Sequence, residues 1–125
     1  MKIIKSYKDL KVWQKSMLLV TEVYKMVRKL PKEETYALSD QMRRAAVSIP
    51  SNIAEGYSRN TDRELLQFLY IARGSKSELD TQIMIGANLE YFSEEDIRTC
   101  VALSEETGKL LNSFITKVKE NAANS

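Results

Sequence analysis

Hydrophobic positions recur every three or four residues along most of this chain. From about residue 7 to residue 30, one apolar stripe alternates spacings of three and four residues, and a second stripe follows the same rhythm beside it. Such spacing predicts an amphipathic helix, and two stripes cover more of its circumference than packing on one neighbour requires. The stripes are Leu10, Trp13, Met17, Val20, Tyr24, Val27 and Val12, Ser16, Leu19, Val23, Met26, Leu30.

Three further helices are predicted over about residues 35–55, 62–89 and 94–119. Thr61 stands three residues before Glu64, which is the spacing of a helix-opening capping box. Ser93 precedes three acidic residues that complement the positive end of the helix dipole. We therefore expect helices to begin after both positions, and we expect the tail 121–125 to fray.

The second predicted helix contains a proline in the stretch RRAAVSIPSNIAEG, residues 43–56. Pro50 cannot donate a backbone hydrogen bond, but the apolar spacing continues in phase through it, so we predict a kink rather than a break. Gly56 suits the left-handed residue that ends a helix. Gly74 lies inside the third helix at a cost in propensity, and close packing against the second helix is the expected reason.

Four helices with short connections predict an all-α, antiparallel up-down-up-down four-helix bundle, a single domain over residues 1–125 with its second helix kinked at Pro50. The longest uninterrupted apolar run, Phe68–Ala72, has five residues, so no membrane span is expected. The doubled apolar stripes of the first and fourth helices indicate surface for self-association.

The residue types that most catalysis and metal binding need are scarce. There is no histidine, and Cys100 is the single cysteine, so neither a common general base nor a zinc site is available. We interpret the acids after Ser93 as helix-dipole partners and expect no enzyme, no cofactor and no metal. Cys100 lies on an apolar stripe, where it acts as a small hydrophobe, and a single cysteine suits a reducing compartment, the cytoplasm.

The net charge of +2 hides an asymmetry along the chain. Residues 1–32 carry nine Lys or Arg and two acids, whereas residues 33–125 carry ten and fifteen. Three interpretations stay open for the basic first helix: a nucleic-acid surface repeated around an oligomer, a solvated face, or a contact with acidic fourth helices of neighbouring subunits. The nucleic-acid hypothesis names Lys11, Lys15, Lys25 and Lys29.

A second group of basic residues surrounds the predicted kink and the following loop. Arg43 and Arg44 are candidates for phosphate binding, with ion pairing to Asp40 as the alternative. Arg59, Arg63 and Arg73 extend this group into the third helix. Trp13 and Tyr24 lie on an apolar stripe and are interpreted as core residues rather than stacking platforms.

Four segments resemble the family of four-helix-bundle proteins encoded in intervening sequences of bacterial 23S rRNA genes. They are YKDLKVWQKS (7–16), LPKEETY (30–36), QMRRAAVSIPSNIAEG (41–56) and FLYIARGSKSELDTQ (68–82). The resemblance implies a bundle that assembles as a homopentamer. It also implies a relation to the accessory protein of diversity-generating retroelements, a basic pentamer that binds nucleic acid and a reverse transcriptase. The net charge of this chain is lower than that relation implies.

Two hypotheses of function follow. The first is a non-catalytic, oligomeric accessory factor that binds RNA or DNA. The second is a protein–protein interaction scaffold that contacts a protein partner and no nucleic acid.

Overall fold

The computed structural model describes residues 6–124, and all regular structure in that range is helical. Short 3₁₀ turns at Tyr7–Asp9 and Lys32–Glu34 precede the first two α-helices. The predicted four-helix bundle is confirmed in its fold class. Its helices are α1 (Lys11–Val27), α2 (Leu38–Tyr57), α3 (Asp62–Asn88) and α4 (Glu94–Ala123).

The first two helices begin later than predicted, because a capped 3₁₀ turn or loop occupies the expected first residues. Before α1, the Ser6 hydroxyl and the Asp9 carboxylate form a reciprocal capping box around the turn. Before α2, Ala37 has no side chain that can cap a helix. The Glu34 carboxylate instead accepts a hydrogen bond from the backbone N–H of Leu38 at 3.2 Å.

Gly56 does not end α2 in a left-handed conformation, so that prediction is wrong. The helix continues through it to Tyr57, and no described glycine has a positive φ. Gly56 is buried where α2 meets α3, and a side chain there would meet Leu65 and Phe68. Its role is therefore close approach between two helices rather than a turn.

The caps predicted for the last two helices are present. Thr61 Oγ1 accepts from the backbone N–H of Glu64 at 3.2 Å, and Ser93 Oγ accepts from that of Asp96 at 3.1 Å. The Glu64 carboxylate accepts from the Thr61 hydroxyl instead of from its backbone. Helix α4 continues to Ala123, four residues beyond its predicted end near residue 119, and the fraying expected of the tail stays a prediction.

Each helix packs against its neighbours in sequence, and α1 also packs against α4. The second stripe of α1 faces the core, whereas Met17 and Tyr24 of the first stripe are 41% and 38% exposed. The interpretation of Tyr24 as a core residue is therefore wrong. Fully buried side chains from all four helices fill the centre: Leu19, Val23, Met42, Ile49, Ile53, Leu69, Leu79 and Leu111.

The contact between α2 and α3 is the most extensive in the bundle. The hydroxyls of Ser48 and Ser75 are hydrogen-bonded across it at 2.8 Å. Gly74 takes no part, since a side chain at this exposed position would meet nothing within 4 Å. The packing reason predicted for Gly74 is wrong. The up-down order and the bend at Pro50 stay predictions.

Candidate nucleic-acid interface

Two lysines of α1 face acidic side chains of α4 in the same chain. Lys15 Nζ lies 3.1 Å from Glu106 Oε1, and Lys29 Nζ donates to Asp96 Oδ2 at 2.6 Å. This hydrogen bond is the main reason why the pKa of the Asp96 carboxyl lies below its usual value. Contacts between the basic first helix and the acidic fourth helix, which were hypothesised between neighbouring subunits, are thus seen here within one chain, and these two cations already have partners.

The other two predicted lysines of α1 are both exposed. Lys25 lies 3.5 Å from Glu22, one turn earlier on its own helix. Lys11 makes no ion pair within residues 6–124. Lys2 and Lys5, which add to the basic first segment, lie outside the described residues, as do the ends of the predicted domain 1–125.

The arginine pair before Pro50 contacts Asp40, the ion-pair partner that was named as the alternative to phosphate. Arg44 Nε lies 3.2 Å from Asp40, and Arg43 lies 4.0 Å from the same carboxylate while donating to Ser39 Oγ at 2.7 Å. Both arginines line an open cleft of about 380 Å³ together with Tyr24. Since they are partly exposed, an added anion can reach them without breaking the core.

Arg59 and Arg63 lie at the connection between α2 and α3. Arg59 is paired with Glu55 at 3.1 Å, and its guanidinium lies 4.8 Å from the centre of the Phe68 ring. Arg63 is exposed and makes no ion pair within residues 6–124. The structure therefore distributes the eight predicted residues over three places and does not unite them in one site.

A basic and aromatic surface on α3 and α4 was only partly predicted. Tyr70 is partly exposed, with the Arg73 guanidinium 5.1 Å and the Lys119 ammonium 5.7 Å from its ring centre. Arg73 also donates to Asn112 at 3.4 Å. Neither cation has a carboxylate partner among the described residues.

We call Arg63, Tyr70, Arg73 and Lys119 the Tyr70 surface. Arg63 and Tyr70 are seven residues apart and Arg73 follows by three, so the sequence alone places these three on one side of a helix. Lys119 comes from another helix, and no local pattern could have assigned it.

Within residues 6–124 no three His, Cys, Asp or Glu side chains are grouped so that they could hold a metal ion. Cys100 is buried, and burial raises the pKa of its thiol to about 11, with Glu22 and Asp96 adding to the effect. The thiol is therefore protonated near neutral pH and a poor nucleophile. None of the described helices is both long enough and apolar enough to cross a bilayer.

The fold is an all-α bundle. Most of the basic residues predicted to bind nucleic acid form ion pairs with carboxylates of the same chain. The chain belongs to the family described as 23S rRNA-intervening sequence protein, whose family model matches residues 8–113. The resemblance drawn from the four sequence segments is thereby confirmed.

The chain is also similar to a crystal structure from Bacteroides thetaiotaomicron VPI-5482, described as a protein with unknown function from the S23 ribosomal protein family. The two share 26% sequence identity with a TM-score of 0.77, over 83% of this chain and 97% of the other. No curated protein matches the chain.

Proposed function

We propose that this protein is a non-catalytic accessory factor of the cytoplasm that binds RNA or DNA as an oligomer, with the homopentamer implied by the family resemblance as its assembly. The observation that carries the proposal is the Tyr70 surface. It combines an accessible aromatic ring with three cations that have no carboxylate partner within residues 6–124.

Unpaired cations are the better phosphate ligands on this molecule. A lysine that already contacts a carboxylate, as Lys15 and Lys29 do, must share its charge with a phosphate or exchange partners. Arg63, Arg73 and Lys119 bear no such cost, so contact with phosphate releases counterions at full effect. A single strand suits the surface best, because an unpaired base can stack on Tyr70 while the cations hold its backbone.

Repetition in an oligomer strengthens such a surface. One copy offers three cations, which supports only weak and salt-sensitive binding. Several copies present the same surface at fixed distances, so that a long strand can engage more than one of them at once. This is why assembly belongs to the proposed function and is not incidental to it.

Fluorescence anisotropy at several salt concentrations tests the proposal with single-stranded and duplex RNA and DNA. The first variant carries Arg63→Gln, Arg73→Gln and Lys119→Gln. A matched variant with Lys11→Gln, Lys15→Gln and Lys25→Gln removes the same charge from α1. Glutamine is preferred to glutamate, because a new acid at position 15 would face Glu106.

We expect the Tyr70-surface variant to bind single strands at least about tenfold more weakly at low salt, with a salt slope shallower by about two per engaged copy. The α1 variant should bind nearly as the parent does. Loss only in the α1 variant would assign binding to the predicted lysine stripe instead. No binding by the parent at low salt would overturn the proposal.

The second candidate function, a protein-interaction scaffold, is favoured by a different observation. Large apolar side chains are exposed on α1, α2 and α3, among them Met17, Val47 and Ile85. Such surface typically marks contact with another protein. A partner captured equally well before and after nuclease treatment, by a chain that binds no nucleic acid, would support the scaffold.

A further inference from the structure

A polar cleft of about 460 Å³ lies where α2 and α3 pack side by side, and we call it the α2–α3 cleft. No residue of the Tyr70 surface lines it, so it is a separate feature of α3. None of the described residues that line it is basic. Its lining includes Gln41 from α2 and Gly74, Glu78, Thr81, Gln82 and Ile85 from α3.

Gln82 is the buried polar side chain of this cleft. It is 7% exposed, and its Oε1 has no hydrogen-bond partner among the described residues. Buried side-chain oxygens normally accept a hydrogen bond, and an unpaired one costs stability because water no longer solvates it. A donor that enters the cleft and reaches this oxygen would remove that cost. Gln82 therefore favours a ligand that carries an N–H or O–H group.

A carboxylate lies beside this amide on the same helix. Glu78 precedes Gln82 by one helical turn, so both side chains project from the same side of α3. Glu78 is exposed and makes no ion pair or hydrogen bond within residues 6–124. Thr81 Oγ1 donates its proton to the Ser77 carbonyl at 2.9 Å, which leaves the hydroxyl oxygen as a further acceptor. The cleft thus combines a negative charge and acceptor oxygens with no cation in its described lining.

These acceptors suit an ammonium group better than a metal ion or a guanidinium. Calcium takes about six to eight oxygen ligands, and no group of three acidic side chains lies together among the described residues. A guanidinium is planar and pairs best with both oxygens of a single carboxylate. An ammonium group donates in three directions, so that one group can contact Glu78 and Gln82 together.

The two ends of the cleft leave room for an aliphatic stem. Ile85 lies about one turn after Gln82 and is 44% exposed, so its apolar side chain is available for contact. Gly74 lies one turn before Glu78, and a side chain there would meet nothing within 4 Å. Glycine is unfavourable inside a helix, but here its missing Cβ keeps the cleft wide beside the carboxylate.

We propose that the α2–α3 cleft binds an alkylammonium group, which donates to the Glu78 carboxylate and the Gln82 amide oxygen and packs its stem against Ile85. Two sources carry this chemistry: the lysine side chain of a protein partner and a free alkylamine. The proposal goes beyond nucleic-acid binding and does not rest on it, because it uses no residue of the Tyr70 surface.

Nuclear magnetic resonance titration of the ¹⁵N-labelled chain tests the site with two probes, n-butylamine and a capped Ala-Lys-Ala peptide. The side-chain amide signal of Gln82, identified by its loss in Gln82→Leu, should shift strongly as Oε1 accepts a hydrogen bond. We expect a Kd of about 1–10 mM, because the ligand is small and its site partly open. The same peptide with an acetylated lysine carries no charge and should not bind.

The relative affinities of the two probes distinguish the sources. Tighter binding of the peptide would assign the site to a lysine side chain, since its backbone or neighbours then add contacts. Tighter binding of butylamine would assign it to a free amine. Equal binding would mean that the ammonium group and its stem are all that the cleft recognises.

Two variants separate a binding role from a structural one. Glu78→Gln keeps the shape of an exposed side chain and should weaken binding about three- to fivefold. Gln82→Leu should weaken it about tenfold or more and also raise the urea midpoint of the free protein, because an apolar side chain replaces a buried unpaired amide. Glu105→Gln is the matched control, since it removes an exposed acid of α4 that has no ion pair within residues 6–124.

Four outcomes would overturn the site. They are no shift of the Gln82 signal with either amine at tenfold the expected Kd, equal binding of the acetylated peptide, unchanged affinity in Glu78→Gln, and a destabilised Gln82→Leu variant. The last would mean that the amide already has a partner in the protein. Nucleic-acid binding by the same samples, measured separately, would be unaffected by any of these results.

Discussion

Gly56 and Gly74 both lie inside helices, but their surroundings are opposite. A Cβ at position 56 would lie 2.7 Å from Phe68 Cβ and 3.0 Å from Leu65 Cδ1, whereas a Cβ at position 74 would have open space. Gly56→Ala should therefore destabilise the fold by about 1–3 kcal/mol through overpacking. Gly74→Ala should stabilise it by about 0.5–1 kcal/mol through helix propensity.

Urea unfolding followed by circular dichroism, at one protein concentration, measures both changes. Sizing each variant first shows whether its oligomer is unchanged. A stabilising Gly56→Ala would mean that α2 and α3 separate at little cost. A destabilising Gly74→Ala would mean that another copy approaches this position closely.

The second prediction at the residue scale concerns the buried thiol of Cys100. Because its thiol is buried with a pKa of about 11, against an ordinary value of 9.0, the native protein should react with a thiol reagent at pH 8 far more slowly than the urea-unfolded chain. Between pH 9 and pH 11 the unfolded state loses the thiol proton first, so stability should fall as the pH rises through that window.

A Cys100→Ala variant isolates this contribution from other groups that titrate there, such as Tyr91, whose pKa is also raised by partial burial and by Glu34. The stability of the variant should fall less steeply between pH 9 and pH 11 than that of the parent. Equal slopes, or fast labelling of the native thiol, would contradict the placement of Cys100.

At the scale of helices, the ion pair of Lys29 and Asp96 joins α1 to α4 at its capped end. Lys29→Gln should raise the pKa of the Asp96 carboxyl toward its ordinary value, since the lysine hydrogen bond is the main cause of its depression. Both side chains are partly exposed, so we expect a coupling of at most about 1 kcal/mol.

A double-mutant cycle with Lys29→Gln and Asp96→Asn, measured at pH 7 and at pH 3, gives this coupling. A lowered carboxyl pKa contributes stability above the unfolded value near 3.8, and that stability is lost as the pH falls below it. The coupling should therefore be present at pH 7 and reduced at pH 3. A coupling that is equal at both would assign it to packing.

Periodicity was sufficient to predict four helices, because buried stripes are a property of each helix by itself. It could not fix the first residues of α1 and α2, since Ser6 and Glu34 act as caps through contacts that no apolar pattern records. The basic stripe of α1 was visible for the same reason as the apolar ones. Its pairing with Asp96 and Glu106 was not, because those partners lie on a helix distant in sequence.

Contacts between helices give opposed directions for two pairs of helices, while the up-down order of the whole bundle stays a prediction. Ion pairs join residue 15 to 106 and residue 29 to 96, so numbers rise along α1 as they fall along α4. Hydrogen bonds join residue 73 to 112 and residue 80 to 104 in the same opposed sense for α3 and α4. No sequence pattern could assign Lys119 to the Tyr70 surface, because it contacts Tyr70 from a different helix.

At the scale of the whole molecule, the proposed assembly and the proposed binding surface make separate demands on the chain. The Tyr70 surface lies where α3 is next to α4, since Lys119 lies close to the Tyr70 ring. Large apolar side chains are exposed elsewhere, among them Met17 on α1 and Val47 on α2. Contact between copies can therefore use surface that nucleic-acid binding does not need.

The last prediction follows from the proposed assembly. A short oligonucleotide that covers one Tyr70 surface should bind only weakly, because it contacts the three cations of one copy. A strand several times longer should bind more tightly, by about tenfold or more, and with a steeper salt slope, since it can contact several copies of the oligomer at once.

Anisotropy titrations with both lengths of strand measure the effect, with the Arg63→Gln, Arg73→Gln and Lys119→Gln variant as the control once sizing has shown that its oligomer is unchanged. Equal affinity for short and long strands would mean that one subunit is sufficient and that assembly serves another purpose. A dependence on strand length that the variant keeps would assign the repeated contacts to another surface. Only a gain with length that the variant loses joins assembly to binding, because its substitutions remove the repeated surface and leave the oligomer in place.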